Sequence, residues 1–145
     1  MLDFFEELHR RGIPILIISA GLGNVILQVL KNYGLLVDNL KIVANYVLCD
    51  SNDEVTLKHG EQVVHPYNKQ NVSLSLSDNY FKHISYCHNV ILLGDSLGDL
   101  HMSRGVVNPE NILTIGFLNE KVKPSIICDF RRKGLVINIK SHFFL

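Results

Sequence analysis

Leu2, Phe5 and Leu8 recur at helical spacing, with Glu6, Glu7, Arg10 and Arg11 between them and Gly12 after them. This pattern predicts a helix that opens the chain and stops at the glycine. Beyond Pro14 the pattern changes to Ile15-Leu16-Ile17-Ile18, a continuous apolar run of strand length that suits a parallel sheet covered on both faces. Ser19-Ala20-Gly21 ends the run. From Asn24 to Asn32, Val25, Ile26, Val29 and Leu30 fall on one helical stripe, and Tyr33-Gly34 supplies the break. The first third of the chain therefore reads as helix, strand, loop, helix.

A second β region runs from Lys41 to Leu48, and Ser51-Asn52-Asp53-Glu54 is a turn leading to Val55–Leu57 in a hairpin. Asn68 to Ser77 is polar and weakly patterned, which predicts a loop running into a short helix around Asp78 to Ser85. The sharpest unit follows: the buried-strand run Val90-Ile91-Leu92-Leu93, the Gly-rich loop GDSLGD, and a short helix from Asp99 to Arg104 stopped by Gly105. Ile112–Ile115 and Leu135–Ile139 are further strands, separated by a helix from Glu120 to Arg132 that Pro124 should disturb. Strands alternating with helices indicate an α/β architecture with a mainly parallel sheet, and no repeat, linker or low-complexity block interrupts it. In such sheets ligands sit beyond the carboxyl ends of the strands. Ser19, the segment before Lys69, and Asp95 all fall there.

Composition narrows the classes. A chain of 145 residues points to one domain, 1–145, and with 47% hydrophobic and 19% charged residues it is rich in core material and far from a disordered composition. Fourteen Lys+Arg against fourteen Asp+Glu leave no net charge, so no nucleic-acid polymer or anionic membrane is an expected partner. The longest apolar runs fall far short of the roughly 20 residues a membrane helix needs. Cys49, Cys87 and Cys128 form neither a CxxC pair nor a disulfide framework, and the acidic, amphipathic N-terminus is unlike a secretory signal, so the expected location is the cytosol. Asn71-Val72-Ser73 fits a glycosylation sequon, which matters only in a secreted chain. The seven histidines lack zinc-site spacing.

Chemistry concentrates in two loops. In GDSLGD, residues 94–99, the glycines permit tight backbone paths, and Asp95 and Asp99 offer hard oxygen ligands suited to Mg²⁺. The plainer reading is Asp95 as a turn former and Asp99 as a helix cap. Ser19, followed by amides entering a helix, suits a phosphate, although a serine cap is also common there. Residues 21–26, G-L-G-N-V-I, carry only two of the three glycines of a dinucleotide fingerprint, which makes a nicotinamide or flavin site a weak alternative. Lys69 could neutralise a phosphate; alone it would pass for a solvated lysine.

Together, IPILIISAGLGNVILQVLKNYG, VVHPYNKQN, NVILLGDSLGDLHMSRGV and NILTIGFLNEKV resemble the cytosolic 5′-nucleotidase III family of the haloacid dehalogenase superfamily, over roughly residues 2–123. The resemblance implies a Rossmann-like core and Mg²⁺-dependent hydrolysis of nucleoside 5′-monophosphates, of pyrimidine or 7-methylguanosine type, through an aspartyl-phosphate. It implies that Ser19 and Ala20 hold the substrate phosphate, that Lys69 balances its charge, that Asp95 binds the metal, and that Asp99 is a companion acid orienting the site, with Ser96 adding a hydrogen bond.

The superfamily's first motif, D-x-D-x-T/V, occurs nowhere in the 145 residues. The resemblance therefore implies a core lacking the first-motif strand, its nucleophile and the helical cap, with a divergent tail from about residue 124. Such a chain is expected to be inactive alone and to depend on a complementary chain, with unpaired strand edges and exposed apolar faces. The alternative is a non-catalytic fragment that binds nucleotide or a partner.

Overall fold

The structure is a computed structural model, and it describes residues 2–49, 51, 54–57, 63–76, 80–96, 98–118 and 134–138. The predicted helix at 120–132, with Pro124 and Cys128, and the end of the tail lie outside the described residues. Residues 1–65 and 66–145 form two compact units.

In the first unit, α1 (Leu2–Arg10) closes as its pattern predicts, with Gly12 at φ +62°. That left-handed conformation is one glycine adopts freely. β1 (Ile15–Leu22) follows, then α2 (Gly23–Asn32), then β2 (Leu40–Asn45), which pairs parallel with β1. Gly34, at φ +68°, ends α2, and the amide of Leu35 bonds back to the carbonyl of Leu30. Among the described residues of this unit, the buried apolar side chains are those of Ile18, Leu30, Leu35, Ala44 and Val64.

Two expectations change. The strand does not stop at Ser19. It runs to Leu22 through a bulge, because Ile18 pairs with Val43 and Leu22 with Asn45, so four steps on β1 meet two on β2. The region 41–48 is likewise two strands. At Tyr46 the chain leaves the parallel pair, and β3 (Val47–Cys49) forms an antiparallel hairpin with β4 (Val55–Leu57). The Tyr46 ring lies so close over Gly23 that a Cβ there would strike it. Beside it the Asn24 side chain bonds both backbone groups of Val47, donating to its carbonyl at 3.1 Å and accepting its amide at 2.9 Å.

The second unit holds α3 (Lys69–Leu76), α4 (Tyr80–His83), β5 (Asn89–Gly94), a 3₁₀ helix (Asp99–Gly105), β6 (Asn111–Leu118) and β7 (Gly134–Asn138). The last three strands form one parallel sheet in the order β5-β6-β7. The predicted loop at 68–77 is thus corrected to a helix over Lys69–Leu76. Its polar sequence has little helical stripe, and tertiary bonds hold it instead. Fully buried Ser73 donates its hydroxyl to the carbonyl of Met102 at 2.5 Å and accepts the amide of Gly105 at 3.2 Å, fastening α3 to the 3₁₀ helix. Burial of that hydroxyl also settles Ser73 as a packing residue. The helix after GDSLGD is 3₁₀, not α.

Val72, Phe81, Leu92 and Leu100 are buried in this unit. On the opposite face of the sheet, Ile91 and its ladder partner Leu113 are exposed, as is Leu93. Parallel sheets are ordinarily covered on both faces, so this face is unusual.

Candidate active site

In the second unit the loop after β5 is organised by one carboxylate. Asp99 is 2% exposed, and its Oδ2 accepts the amides of Asp95 at 3.1 Å and Ser96 at 3.0 Å and the hydroxyl of Ser96 at 2.8 Å. Its Oδ1 accepts Lys69 Nζ at 2.5 Å. Two glycines admit this arrangement by their lack of bulk. A Cβ on Gly94 would collide with the Asp99 side chain, and one on Gly98 would collide with the carbonyl oxygen of Pro66, three residues before Lys69. The plain cap reading of Asp99 does not hold. Gly98 is the cap, and Asp99 is the first helical residue, turned back onto the loop.

Lys69 is the first residue of α3, where the helix dipole disfavours a cation. Asp99 compensates it: the pair is buried, with side chains 14% and 3% exposed. Burial raises the Asp99 pKa, but the Lys69 hydrogen bond, the Ser96 hydroxyl, the Lys69 charge and the Ser96 amide together outweigh it. The carboxyl therefore titrates below its ordinary range. An ammonium has three hydrogens, so one bond to Asp99 leaves Lys69 two to donate elsewhere.

Asp95 differs. Its side chain is exposed, and among the described residues its carboxylate has no hydrogen-bond or ion-pair partner. Such a free hard oxygen donor fits Mg²⁺, which commonly takes one or two protein carboxylates and completes its shell with water and substrate phosphate. Among the described residues no group of three or more His, Cys, Asp and Glu gathers.

The first unit carries Ser19 and Ala20 in the β1 bulge. Ser19 Oγ accepts the amide of Gly21 at 3.1 Å, leaving the hydroxyl hydrogen to donate. Ala20 contributes a carbonyl that accepts from Asn45 Nδ2 at 2.9 Å. The same Asn45 donates to the carbonyl of Val64 at 2.8 Å and accepts its amide at 2.8 Å. Sequence reasoning passed over Asn45. Its signal was an amide interrupting the apolar run from Ile42 to Leu48, a position where strands disfavour asparagine. The structure thus gathers Lys69, Asp95, Ser96 and Asp99 in one unit and Ser19, Ala20 and Asn45 in the other. Cys49 is exposed and Cys87 half-buried. Among the described residues no helix is long and apolar enough to cross a membrane.

The sequence model of the family described as pyrimidine 5′-nucleotidase (UMPH-1) matches residues 1–129. The 7-methylguanosine phosphate-specific 5′-nucleotidase B of Xenopus laevis is 46% identical over 120 residues, 83% of this chain and 41% of that protein. The 7-methylguanosine phosphate-specific 5′-nucleotidase of Homo sapiens is 42% identical over 121 residues, 83% and 39% of the respective lengths. The crystal structure of cytosolic 5′-nucleotidase IIIB bound to cytidine superposes with a TM-score of 0.78 at 31% identity, over 93% of this chain and 45% of that one. The fold is therefore the mixed α/β core of that nucleotidase, with parallel strands. The chain spans about two fifths of the length of the curated relatives it matches.

Proposed function

The chain belongs to the pyrimidine 5′-nucleotidase (UMPH-1) family, and from that premise we propose that its residues serve Mg²⁺-dependent hydrolysis of nucleoside 5′-monophosphates to nucleoside and phosphate. The observation that carries this reading is the Lys69–Asp99 pair bonded to a loop whose other carboxylate, Asp95, has no partner among the described residues. Lys69 donates its two remaining hydrogens to phosphate oxygens. Asp99 keeps that ammonium in place and orients the loop. Asp95 holds the metal, which when bound shields phosphate and carboxylate charges from one another. Ser19 donates its hydroxyl hydrogen to a phosphate oxygen.

The attacking carboxylate of an aspartyl-phosphate route comes from no D-x-D-x-T/V motif within these 145 residues, so the chain alone does not turn over. Relatives named for 7-methylguanosine phosphate favour that nucleotide, and the cytidine-bound neighbour keeps pyrimidine nucleotides as the comparison substrate. We place the reaction in the cytosol, as that neighbour's name does for its own protein. Dependence on complementary polypeptide is supported by the exposed apolar face at Ile91, Leu93 and Leu113.

Calorimetry and phosphate release test the proposal together. The chain should bind Mg²⁺ in the presence of inorganic phosphate, lose that binding in Asp95→Asn, and release no phosphate from 7-methylguanosine or cytidine 5′-monophosphate. Absence of binding removes the metal and phosphate roles. Robust Mg²⁺-dependent release that disappears in Asp95→Ala removes the claim that the nucleophile lies elsewhere.

A further inference from the structure

The bulge in β1 creates a specific need. Between Ile18 and Leu22, two residues more advance on β1 than on β2, so backbone groups of Ser19–Gly21 fall out of the parallel ladder. A carbonyl lost from a ladder and kept from water needs a donor. Asn45, the ladder partner of Leu22, supplies it from its side chain to Ala20 at 2.9 Å. Its second amide hydrogen and its oxygen are both spent on Val64, at 2.8 Å each, so the orientation of the Asn45 amide is fixed from outside the loop.

We infer that Asn45 is the positioning residue of the Ser19 bulge, acting through the Ala20–Gly21 peptide plane to aim the Ser19 hydroxyl at a phosphate oxygen. The relay is elementary. A trans peptide is rigid and planar, with its carbonyl and its amide pointing in opposite directions. Anchoring the Ala20 carbonyl therefore fixes the Gly21 amide, and that amide donates to Ser19 Oγ at 3.1 Å. With this acceptor site of the hydroxyl occupied, its hydrogen is turned away from the loop. Bulges beside ligand sites re-aim side chains in this way, and here a neutral amide sets the aim. The inference rests on the proposed phosphate role of Ser19.

Asn45→Asp isolates the relay. Aspartate has the same shape and still accepts the Val64 amide, but it has no hydrogen for either carbonyl. The full chain, isotope-labelled, is titrated with inorganic phosphate by NMR as wild type, Asn45→Asp, Ser19→Ala and the double variant. Phosphate should bind about tenfold more weakly to Asn45→Asp, roughly the effect of one hydrogen bond. Without phosphate, the Gly21 amide should shift and exchange faster in that variant. The double variant should bind no more weakly than Ser19→Ala, because both changes act on one hydroxyl. In the wild type, the Asn45 side-chain amide resonances should move with Gly21 as phosphate is added, a measurement that needs no variant to fold. Additive losses, or a Gly21 amide unmoved in Asn45→Asp, overturn the inference. A wild type that binds no phosphate overturns the role of Ser19, and the Gly21 amide of the phosphate-free chains then decides separately whether Asn45 sets the loop.

Discussion

Two irregular segments, the bulge within β1 and the loop after β5, are held by opposite chemistry. Within β1 the bulge frees a carbonyl, and a neutral amide, Asn45, donates to it. After β5 the turn frees two amides, those of Asp95 and Ser96, and a carboxylate, Asp99, accepts them both. The polarity of the orphaned backbone group thus selects the side chain. The second choice brings a charge into a buried place, and that charge requires Lys69. A loop organised by an ion is accordingly more fragile to substitution and sensitive to acid. A loop organised by an amide is neither to the same degree.

The largest effect should come from Asp99→Ala. It strands a mostly buried ammonium and removes the acceptor of two amides and a hydroxyl. Breaking one side of a buried pair commonly costs about 3–5 kcal/mol. Urea unfolding should show a loss of that size. A loss under about 1 kcal/mol would be that of an exposed pair and would remove the ionic half of the comparison.

Acid should separate the loops by a smaller amount. The folded pKa of Asp99 lies below its ordinary value, with burial opposed and outweighed by Lys69 and Ser96. A depressed carboxyl contributes its full stability above the unfolded pKa of about 3.9, and that contribution is lost as pH falls through the folded value. Glu7 on α1 is also depressed, to about 2, by hydrogen bonds from Arg10 and Arg11, so a whole-chain acid transition does not isolate Asp99. Local amide exchange does. On acidification below about pH 4, protection at Asp95 and Ser96 should fall while Gly21 keeps its own, once intrinsic exchange rates are corrected. In Asp99→Asn the local acid dependence should vanish. Equal loss of protection at Gly21 would mean that the loops do not differ in the way described.

How much of this was readable in advance follows the same division. β1, α2, β5 and β6 announced themselves by apolar runs and stripes, and Ser19, Asp95 and Asp99 became candidates because they follow apolar runs and stand near glycines. Those signals are local. α3 was missed because its consecutive buried residues, Val72 and Ser73, make no stripe, and its anchor is a serine bonded 29 positions away. Asn45 was missed because its partners are backbone groups at residues 20 and 64, which have no letter in a sequence. The role of Asp99 was expected as that of a companion acid. That it also carries the loop's amides depends on the close approach that Gly94 permits, a packing fact that no motif encodes.

The smallest effect concerns a second amide in the first unit. Asn24 bonds both backbone groups of Val47, as an adjoining strand would, at the start of the β3–β4 hairpin. Leu48 and Val55 on that hairpin are exposed, so little burial supports it, and two-stranded hairpins are marginal alone. Asn24→Ala should cost about 0.5–1.5 kcal/mol, since exposed groups that lose a partner regain water. Asn24→Asp keeps the acceptor for the Val47 amide and should recover part of that loss. Amide exchange should rise at Val47 and its hairpin neighbours and stay unchanged at Gly21. Asn45→Asp should give the converse pattern, with Gly21 disturbed and the hairpin quiet. If both variants disturb both places, the two amides share one scaffold, and the assignment of loop aiming to Asn45 alone fails.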